Sequence, residues 1–548
     1  MAKNTEGSPN SPATVPASGG SAPPLASEPW HPKANIWLIG VVVALAAFME
    51  VLDTSIANVA LPYMAGNLGA SNDESTWVLT SYLVSNAIVL PISGWFATVL
   101  GRKRFFMTCL VIFTVSSLLC GIAPSLGAMI LFRVIQGAGG GGLQPMAQAI
   151  LADTFPPRLR GVAFALYGVT TIVAPTIGPT LGGWITDNYT WRWIFFINLP
   201  VGIIALFLIY RLIEDPPWVK RAKGAGVTID YIGVSLLVLG IGALQIMLDK
   251  GQEEDWFGSQ FIVVLAVIAL VCLVSLVVWE WFYKAPIIEV QLFRNLNFLG
   301  ANGMMFVLGI MLFSSLVMMP QFLQTLIGYT AATAGLVLSG GGLVLLFLMP
   351  VVGVLTTKIQ ARYIIAFGWL TLSLSMYFTT QHLDLDISFG AASILRVTQV
   401  FGLAFLFVPI NLATFVGMPA DKSNSIAGLV NFMRNIGSSI GTSMVTTLIA
   451  RREQFHQDIL AAHTTLGKPA FILAAKAMTI RLAASGLDIT RAKAQSYGRI
   501  YRGMIGQATT LAYIDTYWYL AIGAAVMFVL AFFLRKNTPG GGGEVAIG

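Results

Sequence analysis

Fourteen long apolar segments constrain this chain more than any other feature of its sequence. They lie near residues 36–61, 76–98, 105–123, 127–151, 161–186, 193–213, 229–249, 260–282, 298–322, 333–355, 363–381, 389–416, 425–450 and 514–534. Each is close to the ~20 residues an α-helix needs to cross the hydrocarbon layer. Lipid offers no partner to a backbone N–H or C=O, so such segments must close their hydrogen bonds internally as helices. The whole chain of 548 residues is 56% hydrophobic and only 10% charged, where a soluble domain carries roughly 25% charge. The expected fold class is therefore an all-α integral membrane bundle. Internal prolines such as Pro91, Pro145, Pro175, Pro320, Pro350 and Pro409 fit that reading, because neighbouring helices satisfy the backbone groups a proline frees.

Basic residues set the expected orientation. One set of short loops holds Arg102, Lys103, Arg104, Arg158, Arg160, Arg211, Lys220, Arg221, Lys223, Lys284, Arg294, Lys358, Arg362 and Lys422, whereas the opposite short loops hold little beyond Arg192 and Lys250. Both termini are expected on the cytoplasmic side. The net charge of +7 follows from this bias, so nucleic acid need not be invoked as a partner; the lipid bilayer is the expected environment. Residues 451–513 lie on the outer side and are also basic, but long segments cross largely regardless of charge. The window 470–487 is read as a surface-lying helix. Residues 1–30, rich in Pro, Ser, Gly and Ala, have no apolar h-region and read as a disordered tail rather than a cleaved signal peptide.

Charges inside the spans are expensive and usually functional. Glu50 and Asp53 sit at i and i+3 on the first span and share a helix face. Arg133, near Gln136 in the fourth span, needs a carboxylate or carbonyl partner, and Asp53 is the natural candidate. The two acids could carry protons, recognise cations, or do both; the competing reading is a structural carboxyl bonded to Asn58 or to a neighbouring helix. Arg396 and Arg434 are buried-arginine candidates in the second half and are read as architectural. Cys109, Cys120 and Cys272 read as small core residues, and the four histidines as exposed. Gly137–Gly142 fits a dinucleotide-binding pattern only formally, because it lies within a membrane span. With no G-x-x-x-x-G-K-[ST] run, the energy source is expected to be a proton gradient, with no cofactor. No H-E-x-x-H or G-x-S-x-G motif supports an enzyme.

The chain also repeats itself. Gly94 to Lys103 (GWFATVLGRK) aligns with Gly353 to Arg362 (GVLTTKIQAR), and Arg133-Val-Ile-Gln136 with Arg396-Val-Thr-Gln399, at separations of 259 and 263 residues. Two six-helix halves, with spans seven and eight inserted between them, follow. Parallel repeats with a site at midplane between them are a secondary-transporter plan.

At these residues the chain resembles the major facilitator superfamily, and within it the fourteen-helix drug:proton antiporters of the EmrB/QacA type, the EmrB branch in particular. Leu52-Asp-Thr-Ser-Ile-Ala-Asn58-Val-Ala-Leu-Pro62 resembles the first-helix signature and Arg133-Val-Ile-Gln136-Gly137 the fourth-helix motif. Ala174-Pro175-Thr-Ile-Gly178-Pro179-Thr-Leu-Gly182-Gly183 resembles the fifth-helix antiporter motif. Trp191-Arg-Trp-Ile-Phe-Phe-Ile-Asn198-Leu-Pro200 is similar to a signature of the fourteen-helix branch. The resemblance implies proton-driven efflux of lipophilic or cationic toxic compounds from the bacterial inner membrane. It further implies an adaptor and an outer-membrane channel as partners through residues 451–513. It makes Asp53 and Arg133 the coupling residues, with Glu50 an extra acid that the family motif does not require and a second candidate for proton coupling or cation recognition. Pro175, Gly178, Pro179, Gly182 and Gly183 become a tight, kinked seam between the halves, and Gly94, Gly101, Arg102 and Lys103 a gating loop. One departure is Thr98, where the family usually carries an Asp; the charge lock made by that Asp is expected to be missing. The competing functions are a carrier for one metabolite, such as a siderophore, sugar or amino acid, and a non-transporting membrane sensor.

The expected organisation is a cytoplasmic tail over 1–33, a six-helix half over 34–213, two inserted helices with linkers over 214–297, a second six-helix half over 298–537 that includes the outer loop, and a tail over 538–548.

Overall fold

A computed structural model describes residues 32–216, 230–465 and 468–536. Most of the expected N-terminal tail, the tail 538–548 and the basic residues Lys220, Arg221 and Lys223 lie outside the described residues. Among the described residues all regular structure is helical. The chain runs through α1 (Ile36–Leu68), α2 (Asn72–Leu100), α3 (Arg102–Gly121), α4 (Leu126–Thr154) and α5 (Arg160–Asn188). A single turn, α6 (Trp193–Phe196), leads into α7 (Asn198–Leu212). Next come α8 (Tyr231–Lys250) and α9 (Gln260–Phe282), then α10 (Leu296–Thr325), α11 (Ala331–Leu355), α12 (Ala361–His382) and α13 (Phe389–Phe415). The chain closes with α14 (Ser423–His463), α15 (Pro469–Ala484) and α16 (Ile489–Ala531).

Local chemistry starts and stops these helices. The Asn35 side chain accepts the Trp37 N–H at 2.9 Å. Ser71 and Glu74 form a reciprocal capping box at 3.1 and 2.8 Å, which satisfies two otherwise orphaned donors. Ser125, Thr330 and Ser388 accept the third amide of α4, α11 and α13. Gly69 ends α1 at φ +66° and Gly101 turns between α2 and α3 at φ +85°, a region that disfavours residues with a Cβ.

Among the described residues thirteen helices are long and apolar enough to cross a membrane, Trp193–Leu212 counting as one. The fourteenth expected span, 425–450, belongs to α14. This helix falls short on apolarity because it carries Asn424, Asn431, Arg434, Asn435, Ser438 and Ser439. It is shielded by protein, lying against α2, α4, α10 and α16. The expected outer loop 451–513 is largely helical: α14 continues to His463, α15 follows, and α16 begins at Ile489. The surface-lying helix is α15, which packs on α16 with Phe471 stacked on Tyr497 at 5.8 Å. His456 departs from the exposed reading, since its Nε2 meets Asp515 at 2.7 Å beside Arg452.

Helix packing places the repeat motifs at the two main crossings between first-half and second-half helices. These are α5 on α11 and α2 on α14. A Cβ on Gly94 would sit 2.8 Å from the Ser425 backbone of α14, and one on Gly353 would sit 2.9 Å from the Gly161 carbonyl of α5. The aligned glycines thus serve the same purpose, closest backbone approach to the opposite half.

The Pro175–Gly183 motif differs from its expected placement. Gly178 and Gly182 face α1 within the first half, where a Cβ at Gly178 would collide with Ser55 and one at Gly182 would press on Ile56 at 3.1 Å. The face of α5 toward α11 is instead served by Thr176 and Thr180, set against Gly342 and Gly335. Pro179 has no N–H for the Pro175 carbonyl, and the Ser55 hydroxyl donates to that carbonyl at 3.1 Å. The first-helix and fifth-helix motifs are therefore two sides of one contact. Gly183 has open space around it, so Gly178→Ala is expected to unfold more easily than Gly183→Ala by about 1–3 kcal/mol, the usual cost of overpacking. Thermal unfolding of the two purified variants in detergent reads the difference; equal stability would contradict the α1–α5 contact.

Candidate functional site

Asp53 lies at the middle of α1, with 2% of its surface exposed. Its Oδ2 accepts from Arg133 Nη1 at 2.7 Å, and its Oδ1 accepts from Gln136 Nε2 at 3.1 Å and Asn198 Nδ2 at 2.6 Å. Arg133, with no exposed surface, also donates through Nε to the Val78 carbonyl at 3.1 Å and through Nη1 to Gln136 Oε1 at 2.8 Å. Four helices, α1, α2, α4 and α7, are thus tied at one carboxylate. The i, i+3 spacing of Arg133 and Gln136 puts both on one face of α4, which makes a joint grip on Asp53 possible.

Glu50 sits one turn earlier but enters a different network. Its Oε1 accepts from Tyr82 Oη at 3.0 Å and Asn86 Nδ2 at 3.1 Å, and its Oε2 accepts from Gln144 Nε2 at 2.5 Å. The Gln144 carbonyl oxygen accepts from the Arg434 guanidinium of α14 and lies 3.2 Å from Tyr167 Oη. Tyr167 donates to Asn431 at 2.8 Å, and Asn431, Gln148 and Asn411 continue the chain of amides. This buried network joins α1, α2, α4 and α5 to α13 and α14, that is, one sequence half to the other. Tyr82 belongs to both clusters: its ring lies 4.3 Å from the Arg133 guanidinium while its hydroxyl serves Glu50. The glycines of α4 make this possible. Gly137 and Gly141 admit the α2 backbone, and a Cβ on Gly140 would sit 2.6 Å from the Tyr82 hydroxyl and 3.3 Å from Glu50 Cγ.

Several expected residues are placed differently. Asn58 is exposed on α1; five residues beyond Asp53 it has turned about 140° away on a 3.6-residue helix, and Asn198 takes the place considered for it. Arg434 reaches across to Gln144 rather than bracing its own half. Arg396 and Gln399 repeat the Arg133–Gln136 geometry at 3.5 Å, with Ser315 in the position of the acid.

At the gating loop, Thr98 donates to the Trp95 carbonyl of its own helix. Arg102 still finds an acid, because Asp153 at the end of α4 pairs with it at 2.7 Å and Ser423 of α14 joins both at 3.1 Å. The expected loss of the Thr98-position lock is thus accompanied by a buried ion pair that touches the opposite half. Lys103 is held by Asp215 through its backbone N–H at 2.8 Å and by the Tyr210 carbonyl at 2.6 Å. Sequence reasoning missed Asn198, Tyr82, Asn86, Gln144, Tyr167, Asn431 and Asp153. Asn198 lies in the Trp191–Pro200 motif, and the amides could have been flagged as polar groups inside apolar spans. Among the described residues no three metal-ligating side chains cluster.

A bundle of membrane-length helices with two internal repeats, a buried ion pair and a polar network joining the halves defines a multi-pass transporter rather than an enzyme. Residues 43–442 match the Major Facilitator Superfamily model, and the chain belongs to that superfamily. It is 37% identical over 510 residues to the multidrug export protein EmrB of Escherichia coli K12, covering 93% of this chain and 97% of that protein. It is 40% identical over 440 residues to the fatty acid resistance protein FarB of Neisseria gonorrhoeae, covering 80% of this chain and 85% of that protein. Among solved structures, the proton:xylose symporter XylE superposes with a TM-score of 0.57 at 14% identity, covering 92% of this chain and 97% of that one; this likeness carries the fold alone.

Arginine cannot shed its proton, whereas a carboxyl can take one up. Removing the acid should therefore cost more than removing the base: Asp53→Asn is expected to lose about 3–5 kcal/mol, the usual cost of stranding a buried charge, and Arg133→Gln less. The double variant should recover part of the loss. Thermal melts of the three proteins test this; a double variant worse than the sum of its parts would contradict the pairing.

Proposed function

We propose that this protein is a proton-driven exporter that moves lipophilic, often cationic or aromatic compounds outward across the bacterial inner membrane by drug:proton antiport, with both termini cytoplasmic. The observation that carries the reading is the fully buried Asp53–Arg133 pair, whose other partners are neutral amides and a backbone carbonyl. The near full-length similarity to a multidrug export protein supports the outward direction.

A proton arriving at Asp53 removes the negative charge that holds Arg133. Arg133 then keeps the Val78 carbonyl and Gln136, and the tie between α1 and α4 loosens. Losing the proton on the inner side restores the pair. Each charge moved is worth about 2.3 kcal/mol per 100 mV, comparable to what a weakened buried pair releases. Glu50 is the second acid, beside the network that reaches α14. A cationic substrate there competes with the proton for the carboxylate, and Gln144 passes that change to Arg434 because the same amide serves both. The Arg102–Asp153–Ser423 cluster closes the cytoplasmic end when α2 and α14 approach.

Substrate-induced proton release from everted membrane vesicles tests this, with ethidium as the cationic probe. Wild type should release protons on addition of the probe, Asp53→Asn should abolish release, and Glu50→Gln should reduce the response to cationic probes selectively. The Asp53→Asn/Arg133→Gln double variant keeps the test readable if the single variant accumulates poorly. Full coupling in Asp53→Asn would overturn the carrier role.

The helical outer segment formed by the end of α14, α15 and the start of α16 presents exposed Phe455, Ile459, Leu473 and Ile480. Exposed apolar side chains outside the membrane-length spans suit a partner surface. We assign it to a membrane-fusion adaptor leading to an outer-membrane channel. Deleting 464–488 should abolish adaptor co-purification while drug binding to the bundle persists; unchanged co-purification would sink the docking role.

A further inference from the structure

The repeat gives the two halves the same buried arginine but not the same charge balance. Arg133 has Asp53. Arg396, equally without exposed surface, lies on α13 and donates Nη1 to Ser315 Oγ at 3.0 Å and to Gln399 Oε1 at 3.5 Å. Ser315 stands 262 residues after Asp53, inside the offsets that relate the repeats, so the second half carries a hydroxyl where the first carries a carboxylate. Among the described residues no carboxylate reaches within the 4.0 Å of an ion pair with Arg396, and the charged-group neighbour that acts on it is the Tyr517 phenol. A phenol is neutral at physiological pH. Arg396 Nε and Nη2 are buried and have no hydrogen-bond partner among the described residues.

These two nitrogens form one edge of the planar guanidinium, the edge that captures anions side-on. An uncompensated charge at membrane depth costs several kcal/mol, and arginine has no neutral form in which to escape that cost. Glu50 does not supply the balance, since its carboxylate is committed to Tyr82, Asn86 and Gln144. Deep burial also limits the size of what could sit there: Val400 and Gly341 close on the aliphatic stem of Arg396, where a Cβ on Gly341 would meet Val400 at 2.9 Å and Arg396 Cγ at 3.4 Å. Gln399 is turned away, donating to Thr379 at 2.9 Å. Buried Ser314, next to Ser315 on α10, has a hydroxyl without a partner as well.

We propose that the second half holds a small monovalent anion of the halide class on the Nε/Nη2 edge of Arg396, as a fixed counter-ion in place of the carboxylate that Asp53 provides in the first half. The anion stays with α13 and does not cross with substrate, so the second half keeps a constant charge while the first half changes its own.

The test compares thermal unfolding of the purified full-length protein in sodium chloride and in sodium gluconate at equal ionic strength. Chloride should raise the midpoint saturably, with bromide equivalent and gluconate without effect. Ser315→Asp supplies an internal carboxylate and should remove the halide response while melting, without halide, above wild type under the same conditions. Arg396→Gln should lose the response too. Crystals of wild type grown in bromide should show an anomalous peak within hydrogen-bond reach of Arg396. A wild-type midpoint indifferent to chloride, a response undiminished in both variants, or bromide density absent from Arg396 would each overturn the assignment.

Discussion

The Asp53–Arg133 ion pair is the interaction on which the rest of this molecule depends. Moving two charges into a low-dielectric interior is costly, and their mutual attraction compensates only when geometry is good and every remaining donor and lone pair is met. Here most of the requirement is met by groups from four helices, the Val78 carbonyl of α2, Gln136 of α4 and Asn198 of α7 around an acid from α1, while among the described residues Arg133 Nη2 has no hydrogen-bond partner and the guanidinium lies over the Tyr82 ring. The pair therefore sets the rotation of each of these helices about its axis. It also explains why α4 is so rich in glycine, since the helix must lie close enough to α2 and α3 for Arg133 to reach.

Around that pair the polar interior is asymmetric. The acids, Glu50 and Asp53, belong to the first half, and the second contributes Arg396 and Arg434. Gln144 links Glu50 to Arg434 through the two ends of one amide, so a change of charge on α1 is felt on α14 without a direct ion pair. A direct bridge would hold the halves together more strongly; an amide relay lets them respond and still separate. Small residues at α2–α14 and α5–α11 allow the backbones to approach, and few charged groups resist their parting.

Much of this was legible in the sequence because membrane burial makes charge and length conspicuous. Apolar runs defined the spans, the cost of buried charge paired Asp53 with Arg133, and spacing related Arg133–Gln136 to Arg396–Gln399. Three things were not legible. Neutral amides such as Asn198, Gln144 and Asn431 cost less to bury than charges and so stand out less, although together they form the link between halves. Helix α14 hides from hydropathy because protein rather than lipid surrounds it. The facing of Gly178 and Gly182 toward α1, rather than α11, depends on the rotation of α5, which is set by Pro179 and Ser55 together. The pairing of Arg102 with Asp153 from a distant segment is visible only once α4 and the α2–α3 turn are brought together.

The account rests on Asp53 exchanging a proton while Arg133 stays charged. Difference infrared spectroscopy of the membrane-embedded protein, recorded as a transported cation is added, reads this directly through the stretching band of protonated carboxyl groups. The account predicts a loss of that band in wild type that is absent in Asp53→Asn and reduced but present in Glu50→Gln. A band that disappears equally in Asp53→Asn would show that the proton is carried elsewhere.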